Sequence, residues 1–196
     1  MGNRELDDET LAAAVKAGDM AAYEELVRRH QGRVYAVAYR ITLNREDALD
    51  ATQEALLKVY RKIGQWEPTV GFLPWLMRLT ANQAIDLVRL RKRRPAQVLD
   101  EAVLQEVEAR GVIGGGDSDR SARSGEIEAH VNAALEELSP SQRSVFAMRH
   151  YQGLQLSEIA EAMGCSTGSV KVHLFRALKK LQKVLGPYYA EHRERD

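Results

Sequence analysis

The sequence predicts an all-α fold of two small helical domains joined by a flexible linker. Apolar residues recur with helical periodicity along most of the chain, and no run shows the alternation of β-branched residues that is typical of strands. Residues 111–125 contain five glycines and three serines, a composition typical of flexible linkers. We therefore expect an N-terminal domain over residues 1–95, an acidic linker over 96–125 and a C-terminal domain over 126–196.

The N-terminal domain is predicted to contain three helices. The first begins after Asp19, which is a good N-cap. Its apolar positions are Leu26, Val27, Tyr35, Val37 and Ile41. The second follows in "NREDALDATQEALLKVYRKI", and its apolar face consists of Leu49, Leu56, Tyr60 and Ile63. The third runs from about Phe72 into "RLRKRR", where Pro95 ends it.

The C-terminal domain contains a helix-turn-helix pattern. The segment "LSPSQ" predicts a helix start, with Ser139 as N-cap, Pro140 in the first turn and Gln142 completing a capping box. Further along, Gly164 suits the left-handed residue that ends a short helix, and Ser166 can cap the next helix. Two helices joined by a tight glycine turn are typical of DNA-binding modules.

The second helix of this pattern has an apolar side and a cationic side. The inner stripe consists of Val170, Leu174, Ala177, Leu178 and Leu181. The outward residues are Lys171, Val172, Phe175, Arg176, Lys179 and Lys180. Exposed Phe and Val among cations suit the major groove, where apolar groups meet thymine methyls and Arg or Lys reads guanine. The alternative is a solvated helix whose lysines are favoured by the helix dipole.

A second basic surface is predicted on the third N-terminal helix. Its cations are Arg78, Arg89, Arg91, Lys92, Arg93 and Arg94. The helix also opens on Phe72 and Trp75, and Trp66 lies in the loop before it. Aromatic rings beside cations are the combination that binds single-stranded DNA, because the rings stack on bases and the cations follow the backbone. The alternative for the rings is packing in the core.

An acidic stripe is predicted on the second N-terminal helix. Asp47, Asp50 and Glu54 are spaced at i, i+3 and i+7 and so share one side of the helix. We favour a protein-docking surface over a solvated face and over a divalent-metal site. A metal would need facing ligands, and the other dense acidic cluster, at positions 7–9, lies in a terminus that we expect to be mobile.

Composition narrows the class of protein. The 28 basic and 28 acidic residues cancel, yet residues 1–95 hold 16 and 13, residues 96–130 hold 3 and 8, and residues 131–196 hold 9 and 7. The single cysteine, Cys165, forms no intramolecular disulfide and suits a reducing compartment. No run approaches the roughly 18 apolar residues of a spanning helix. We expect a cytoplasmic protein with no metal and no cofactor.

Together these segments resemble the sigma-70 family of bacterial transcription initiation factors, specifically its extracytoplasmic-function branch. The matching blocks, in family order, are "AGDMAAYEELVRRH", "REDALDATQEALLKVY", "FLPWLMRLTANQAIDLVRLRKRR" and "ALEELSPSQRSVFAMRHYQGLQLSEIAEAMGCSTGSVKVHLFRALKKL". They cover almost the whole chain. The resemblance implies a factor without enzymatic activity that binds core RNA polymerase and promoter DNA. Many relatives are held inactive by an anti-sigma protein, which the resemblance implies as a further partner.

The resemblance also implies roles for individual residues. Contact with a coiled coil of the largest polymerase subunit falls to Asp47, Asp50, Gln53 and Glu54. Residues 64–71 align with the loop that captures a flipped promoter base. Arg78, Asn82 and Arg89 match the helix that binds the minus-ten element as a single strand, and the pattern of rings and cations adds Phe72, Trp75 and Arg93 as candidates on that helix. Lys171, Phe175 and Arg176 match the helix that reads the minus-thirty-five element as duplex, and Ser169, Val172, His173 and Lys179 are further candidates on it.

Two features depart from the family pattern. The turn "CSTGS" lacks the proline that many relatives carry, and Val172 and His173 replace the commoner Ser and Arg. The promoter sequence that this chain reads therefore cannot be copied from a relative. The competing interpretation is a stand-alone helix-turn-helix regulator, which would bind an operator without polymerase and would dimerise to meet two half-sites.

Overall fold

The computed structural model describes residues 5–93 and 130–193, and over these ranges the fold is all-α, as predicted. The first range contains α1 (Asp8–Lys16), α2 (Met20–Thr42), α3 (Arg45–Lys62) and α4 (Phe72–Arg93), with short 3-10 helices at Ile63–Gln65 and Pro68–Val70. The second range contains α5 (residues 130–136), α6 (Pro140–His150), α7 (Leu156–Met163) and α8 (Thr167–Arg193). The predicted linker over 96–125 lies outside the described residues. None of the described helices has the length and apolarity needed to span a membrane.

Local capping chemistry starts and ends these helices where the sequence predicts. The Asp19 side chain caps α2 by accepting backbone N–H groups of its first turn. Ser139 and Gln142 form the reciprocal capping box at the start of α6. Gly164 ends α7 in the left-handed conformation, with φ of 61°. Ser166 then caps α8 by accepting a backbone N–H. Each of these predictions is confirmed.

Helix α1 was not predicted. The Asp7 carboxylate caps it, and Leu11, Ala12 and Val15 are buried in the main core. The expectation that the acidic cluster at positions 7–9 lies in a mobile terminus was therefore wrong. The physical reason is that α1 is held by burial of its apolar side against α2 and α4, a tertiary effect that a nine-residue segment does not reveal.

Helix α3 packs against α2 and α4 through small residues. Its buried positions are Ala48, Ala51, Ala55 and Val59. The predicted apolar face was wrong in part, because Leu49 and Tyr60 are each 50% exposed, although Ile63 is buried. Short side chains let helix axes approach closely, so the larger residues of α3 turn outward. We call the buried set the alanine seam.

Ala48, Ala51 and Ala55 of the alanine seam are fully buried, so a larger side chain there would have to displace its neighbours. We expect Ala55→Leu to lower the free energy of unfolding by about 1–3 kcal/mol, because overpacking a close helix contact forces side chains and backbone to shift. Leu49→Ala is the control, because this half-exposed side chain should change the stability by less than about 0.5 kcal/mol. Urea denaturation followed by circular dichroism measures both. Equal effects from the two variants would contradict the assignment of the seam.

The second described range packs on the first. Helices α6 and α7 contact α2 and α4, and Met148 and Ile159 belong to the same hydrophobic cluster as Ile41. The guanidinium carbon of Arg40 also lies 3.7 Å from the ring centre of Tyr151, a cation–π contact between α2 and the end of α6. The core of the first range therefore continues into the second.

His30 is a buried polar anchor of the N-terminal helices. It is 3% exposed, its Nε2 lies 2.7 Å from Asp8 Oδ2, and its ring centre lies 5.6 Å from that of Phe72. Burial lowers the pKa of the imidazole below its ordinary value of 6.5, although the Asp8 carboxylate acts in the opposite direction. His30 therefore joins α1, α2 and the start of α4 while favouring its neutral form.

The lowered pKa of His30 predicts a pH dependence of stability. The unfolded chain takes up a proton first as the pH falls, so the stability from neutral His30 is complete above the ordinary pKa. It is lost as the pH falls through the lowered pKa of the folded state. Glu25 stays ionised in this window, because hydrogen bonds from Arg28 and Arg29 hold its pKa at about 2.

We test this dependence with His30→Gln, which cannot take up the proton. Between about pH 7 and pH 5, the free energy of unfolding should fall more steeply for the wild-type protein than for the variant. Chemical denaturation at a series of pH values measures both slopes, and the other histidines are common to the two proteins. Parallel slopes would show that His30 does not cause the dependence.

Candidate nucleic-acid and protein-docking surfaces

Helices α7 and α8 form the predicted helix-turn-helix. Helix α8 packs against α6 and α7 and buries Val170, Ala177 and Leu181. Leu174 is half-buried. Leu178 was predicted to face inward and is exposed instead, because it lies at the edge of the buried stripe. One side of α8 is thus committed to packing.

The opposite side of α8 is apolar and cationic together. Val172, Phe175, Arg176 and Lys179 are exposed, and we call this set the outer face of α8. Phe175 is 67% exposed, more than any other large hydrophobic residue in the described part of the chain. Val172, which is 46% exposed on the same face, extends this apolar area, and an exposed apolar patch is typical of a binding surface.

The remaining predicted residues of α8 lie around this face. Ser169 and His173 are half-buried at its edge, and Lys171 is exposed. His173 Nδ1 is buried and has no hydrogen-bond partner within the described part of the chain. The Lys180 ammonium donates to the carbonyl of Glu137 at 2.6 Å, so it ties α8 to the segment after α5. Lys180 therefore stabilises the packing of α8 and also adds to its positive charge.

Helix α4 presents a basic stripe. Arg78, Asn82, Arg89 and Arg93 are all exposed, and at about 100° per residue they fall on one side of the helix. Asp86 lies beside them, 3.6 Å from the Arg89 guanidinium. The opposite side of α4 is buried against α2, α3 and α7. The stripe is thus the surface of α4 that a nucleic-acid backbone can reach.

Phe72 and Trp75 are not part of that stripe. Phe72 is fully buried and Trp75 nearly so, and their ring centres lie 6.1 Å apart in the core. Trp66 is also buried, with its ring edge-on to Phe72. The prediction that Phe72 and Trp75 stack on DNA bases was therefore wrong in this structure, and core packing is what these rings do. Their burial stabilises the start of α4 and the loop before it.

The loop over residues 64–71 has a buried base and an exposed rim. Trp66 fills the base, and Lys16 Nζ donates to its carbonyl oxygen at 3.2 Å. Gln65, Glu67 and Thr69 are exposed on the rim. The surface that this loop presents to solvent is therefore the rim rather than the aromatic rings.

The outward side of α3 combines acidic and apolar residues. We define the outer face of α3 as Leu49, Asp50, Gln53, Glu54, Leu57 and Tyr60. A groove of about 500 Å³ runs between α3 and α4, and Lys58 donates across it to Gln83 Oε1. Sequence reasoning missed the exposed apolar residues, although alanines at 48, 51 and 55 signal which side is buried.

The acidic side chains of α3 have cationic neighbours. Asp47 Oδ2 lies 3.3 Å from the Arg91 guanidinium, and Glu54 Oε1 lies 3.7 Å from that of Arg61. Asp50 makes no ion pair with another described residue. Within residues 5–93 and 130–193, no group of three or more His, Cys, Asp or Glu side chains is arranged to hold a metal ion.

Comparison with known proteins assigns both halves to one family. Residues 26–94 match the family described as Sigma-70 region 2, and residues 131–181 match Sigma-70, region 4. The RNA polymerase sigma-H factor of Pseudomonas aeruginosa is 29% identical, covering 94% of this chain and 96% of its own length. The ECF RNA polymerase sigma factor SigE of Mycolicibacterium smegmatis is 33% identical, covering 95% of this chain and 72% of its own length.

Solved structures share the fold. CnrH, in complex with the cytosolic domain of CnrY, superposes with a TM-score of 0.65 at 24% identity, covering 92% of this chain and 97% of CnrH. The sigma factor RpoE of Bartonella quintana, in complex with the anti-sigma factor NepR, gives a TM-score of 0.62 at 21% identity, covering 84% of this chain and 96% of RpoE. The two regions and the near full-length relatives agree: this chain belongs to the sigma-70 family, in its extracytoplasmic-function branch of RNA polymerase sigma factors.

Proposed function

We propose that this protein is a promoter-specificity subunit that docks on core RNA polymerase, opens the minus-ten element with α4 and reads the minus-thirty-five element with α8. The observation that carries the proposal is the outer face of α8, where a strongly exposed Phe175 stands among cations on the second helix of a helix-turn-helix. Family membership supplies the polymerase as the partner. The protein adds no catalysis of its own.

Duplex recognition uses the outer face of α8. Val172 and Phe175 supply apolar surface for thymine methyls, and Arg176 supplies the donors that read a guanine edge. Lys171 and Lys179 meet phosphates, which orient the helix without specifying sequence. Because Val172 stands where Ser is commoner in relatives, we expect the base preference of this chain to differ from theirs.

Strand separation uses the basic stripe of α4 and the loop before it. Arg78, Arg89 and Arg93 follow the phosphates of the unpaired strand, and Asn82 offers both a donor and an acceptor to bases. With Phe72 and Trp75 buried, the exposed rim of residues 64–71 receives the flipped base. The core rings support this surface from beneath.

Polymerase docking uses the outer face of α3. Leu49, Leu57 and Tyr60 provide apolar area that water does not favour, and Asp50 and Glu54 provide the negative charge around it. An apolar centre with a charged rim is typical of a protein interface. We assign this face to the coiled coil of the largest polymerase subunit.

An anti-sigma protein is a further proposed partner. The solved structures that share the fold hold the cytosolic domain of CnrY and the anti-sigma factor NepR. We propose that such a protein covers the exposed surfaces of this chain in the cytoplasm and releases it when its signal arrives. To bind the outer face of α3, such a protein would need apolar and basic residues that complement the apolar and acidic residues of that face.

The proposed function is tested by transcription with purified components. Core RNA polymerase supplemented with this protein should start transcripts at new positions on genomic DNA, and core alone should not. Sequencing of the transcript ends measures the positions. No new start site on any genomic template would refute the function.

Reversing charge on the outer face of α3 should abolish docking. We expect Asp50→Arg with Glu54→Arg to weaken binding to core polymerase by more than about tenfold, because the cations repel the positive partner that the acids attract. Surface plasmon resonance with immobilised core measures the affinity, and circular dichroism checks that helicity is kept.

The control for this variant adds the same charge elsewhere. Glu24 on α2 and Glu161 on α7 are both exposed, and Glu24→Arg with Glu161→Arg leaves α3 untouched. The control should bind core as the wild-type protein does. Equal loss in both proteins, or normal binding by the α3 variant, would contradict the assignment of the docking face.

Removing side chains from the outer face of α8 should relax duplex recognition. We expect Phe175→Ala and Arg176→Ala each to cost about 1–3 kcal/mol in preference for the minus-thirty-five sequence in the polymerase complex. Competition between promoter fragments that differ only in that element measures the preference. Val184→Ala is the control, since Val184 is 37% exposed but lies half a turn around α8 from Phe175. Unchanged preference in the first two variants would refute the groove assignment.

A further inference from the structure

Helix α1 lies beside the loop that receives the promoter base. It contacts α2, α4 and the 3-10 helix Ile63–Gln65. Its apolar side is buried with the same cluster that contains Trp66 and Phe72. Neither the resemblance nor the two matched regions, the first of which begins at residue 26, assigns a role to this helix.

Helix α1 is fastened to α2 independently of the loop. Asp8 contacts both His30, at 2.7 Å, and Arg29, at 3.1 Å. The Arg29 guanidinium also donates to the carbonyl of Leu6 at 2.7 Å, and Glu25 holds the same guanidinium at 2.8 Å. These contacts to a buried histidine and to an arginine of α2 fix the position of α1, so α1 can serve as a rigid platform for the loop.

From this platform two side chains reach the two ends of the loop. Lys16 Nζ donates to the carbonyl of Trp66 at 3.2 Å, near the start. The backbone N–H of Phe72 donates to Glu9 Oε1 at 3.2 Å, at the junction with α4. The first turn of α4 contains no acidic residue, so Glu9 supplies from another helix the negative charge that a helix N-terminus favours.

The loop itself is shaped around these contacts. Gly71 has φ of 64°, which favours glycine, and a Cβ there would stand 3.5 Å from Pro74 Cδ and 3.8 Å from Glu9 Oε1. Glu9 thus closes over the turn that leads into α4. With its ends tied and Trp66 buried, the loop offers an exposed rim whose backbone is already ordered, which lowers the entropy cost of binding.

We propose that α1 is a clasp that holds residues 64–71 in the conformation that receives the promoter base, with Glu9 and Lys16 as positioning residues. The inference rests on the proposed function, because it deepens the role of that loop. The clasp acts through the backbone of Trp66 and Phe72. Loss of the clasp should therefore reduce discrimination between minus-ten sequences. Docking on the polymerase and recognition of the minus-thirty-five element should be unchanged.

The test uses the full chain with core RNA polymerase and duplex promoter fragments randomised across the minus-ten element. Heparin-resistant complexes are isolated and sequenced. Lys16→Met and Glu9→Ala should each reduce discrimination between the preferred and other minus-ten sequences by about tenfold, as expected for loss of one charge-assisted hydrogen bond. Lys16→Arg and Glu9→Gln keep a donor and an acceptor, so they should stay within about threefold of the wild-type protein.

Glu24→Ala, an exposed change on α2, is the matched control. Affinity for core and the melting temperature are measured for every variant. Discrimination equal to that of the wild-type protein would overturn the clasp. So would a loss that is uniform over all promoter sequences and follows core affinity or melting temperature, because α1 would then be a scaffold only. If the wild-type protein forms no resistant complex with core, the proposed function fails and the clasp fails with it.

Discussion

The close contact of α3 with α2 and α4 through the alanine seam is the constraint on which the rest of the structure depends. Because Ala48, Ala51 and Ala55 occupy the interior, the long side chains of α3 have no place except the surface. The aromatic rings at the start of α4, those of Phe72 and Trp75, are buried in the same hydrophobic cluster as these alanines. Helices α3 and α4 therefore each bury one side in the core and expose the other side to solvent.

This division explains how a chain with no net charge can present surfaces that suit a polyanionic partner. The outward sides carry charges of different sign: acidic on α3, basic on α4 and on α8. The net charge of the whole chain is zero, yet each surface has its own electric field, and fields of this kind act over about one Debye length, about 8–10 Å in physiological salt. Local charge rather than total charge therefore decides which kind of partner each surface suits.

Local chemistry made part of the fold predictable. Asp19, Ser139 and Gly164 act through hydrogen bonds and backbone conformations within a few residues, and the sequence displays all of these. Helix α1 and the burial of Trp75 depend on partners far along the chain, such as the contact of Asp8 with His30, and periodicity does not report such contacts. The exposed sides of α4 and α8 were predictable because cations seldom occupy a core.

We propose that these surfaces recognise a promoter only as part of a polymerase complex. The decisive experiment is the equilibrium binding of a labelled fragment that spans a mapped start site, measured for the pure protein alone and for the protein with core polymerase. We expect weak, sequence-tolerant binding by the protein alone and tight, sequence-dependent binding by the protein with core polymerase. Tight and specific binding by the isolated protein, as a dimer on two half-sites, would contradict it.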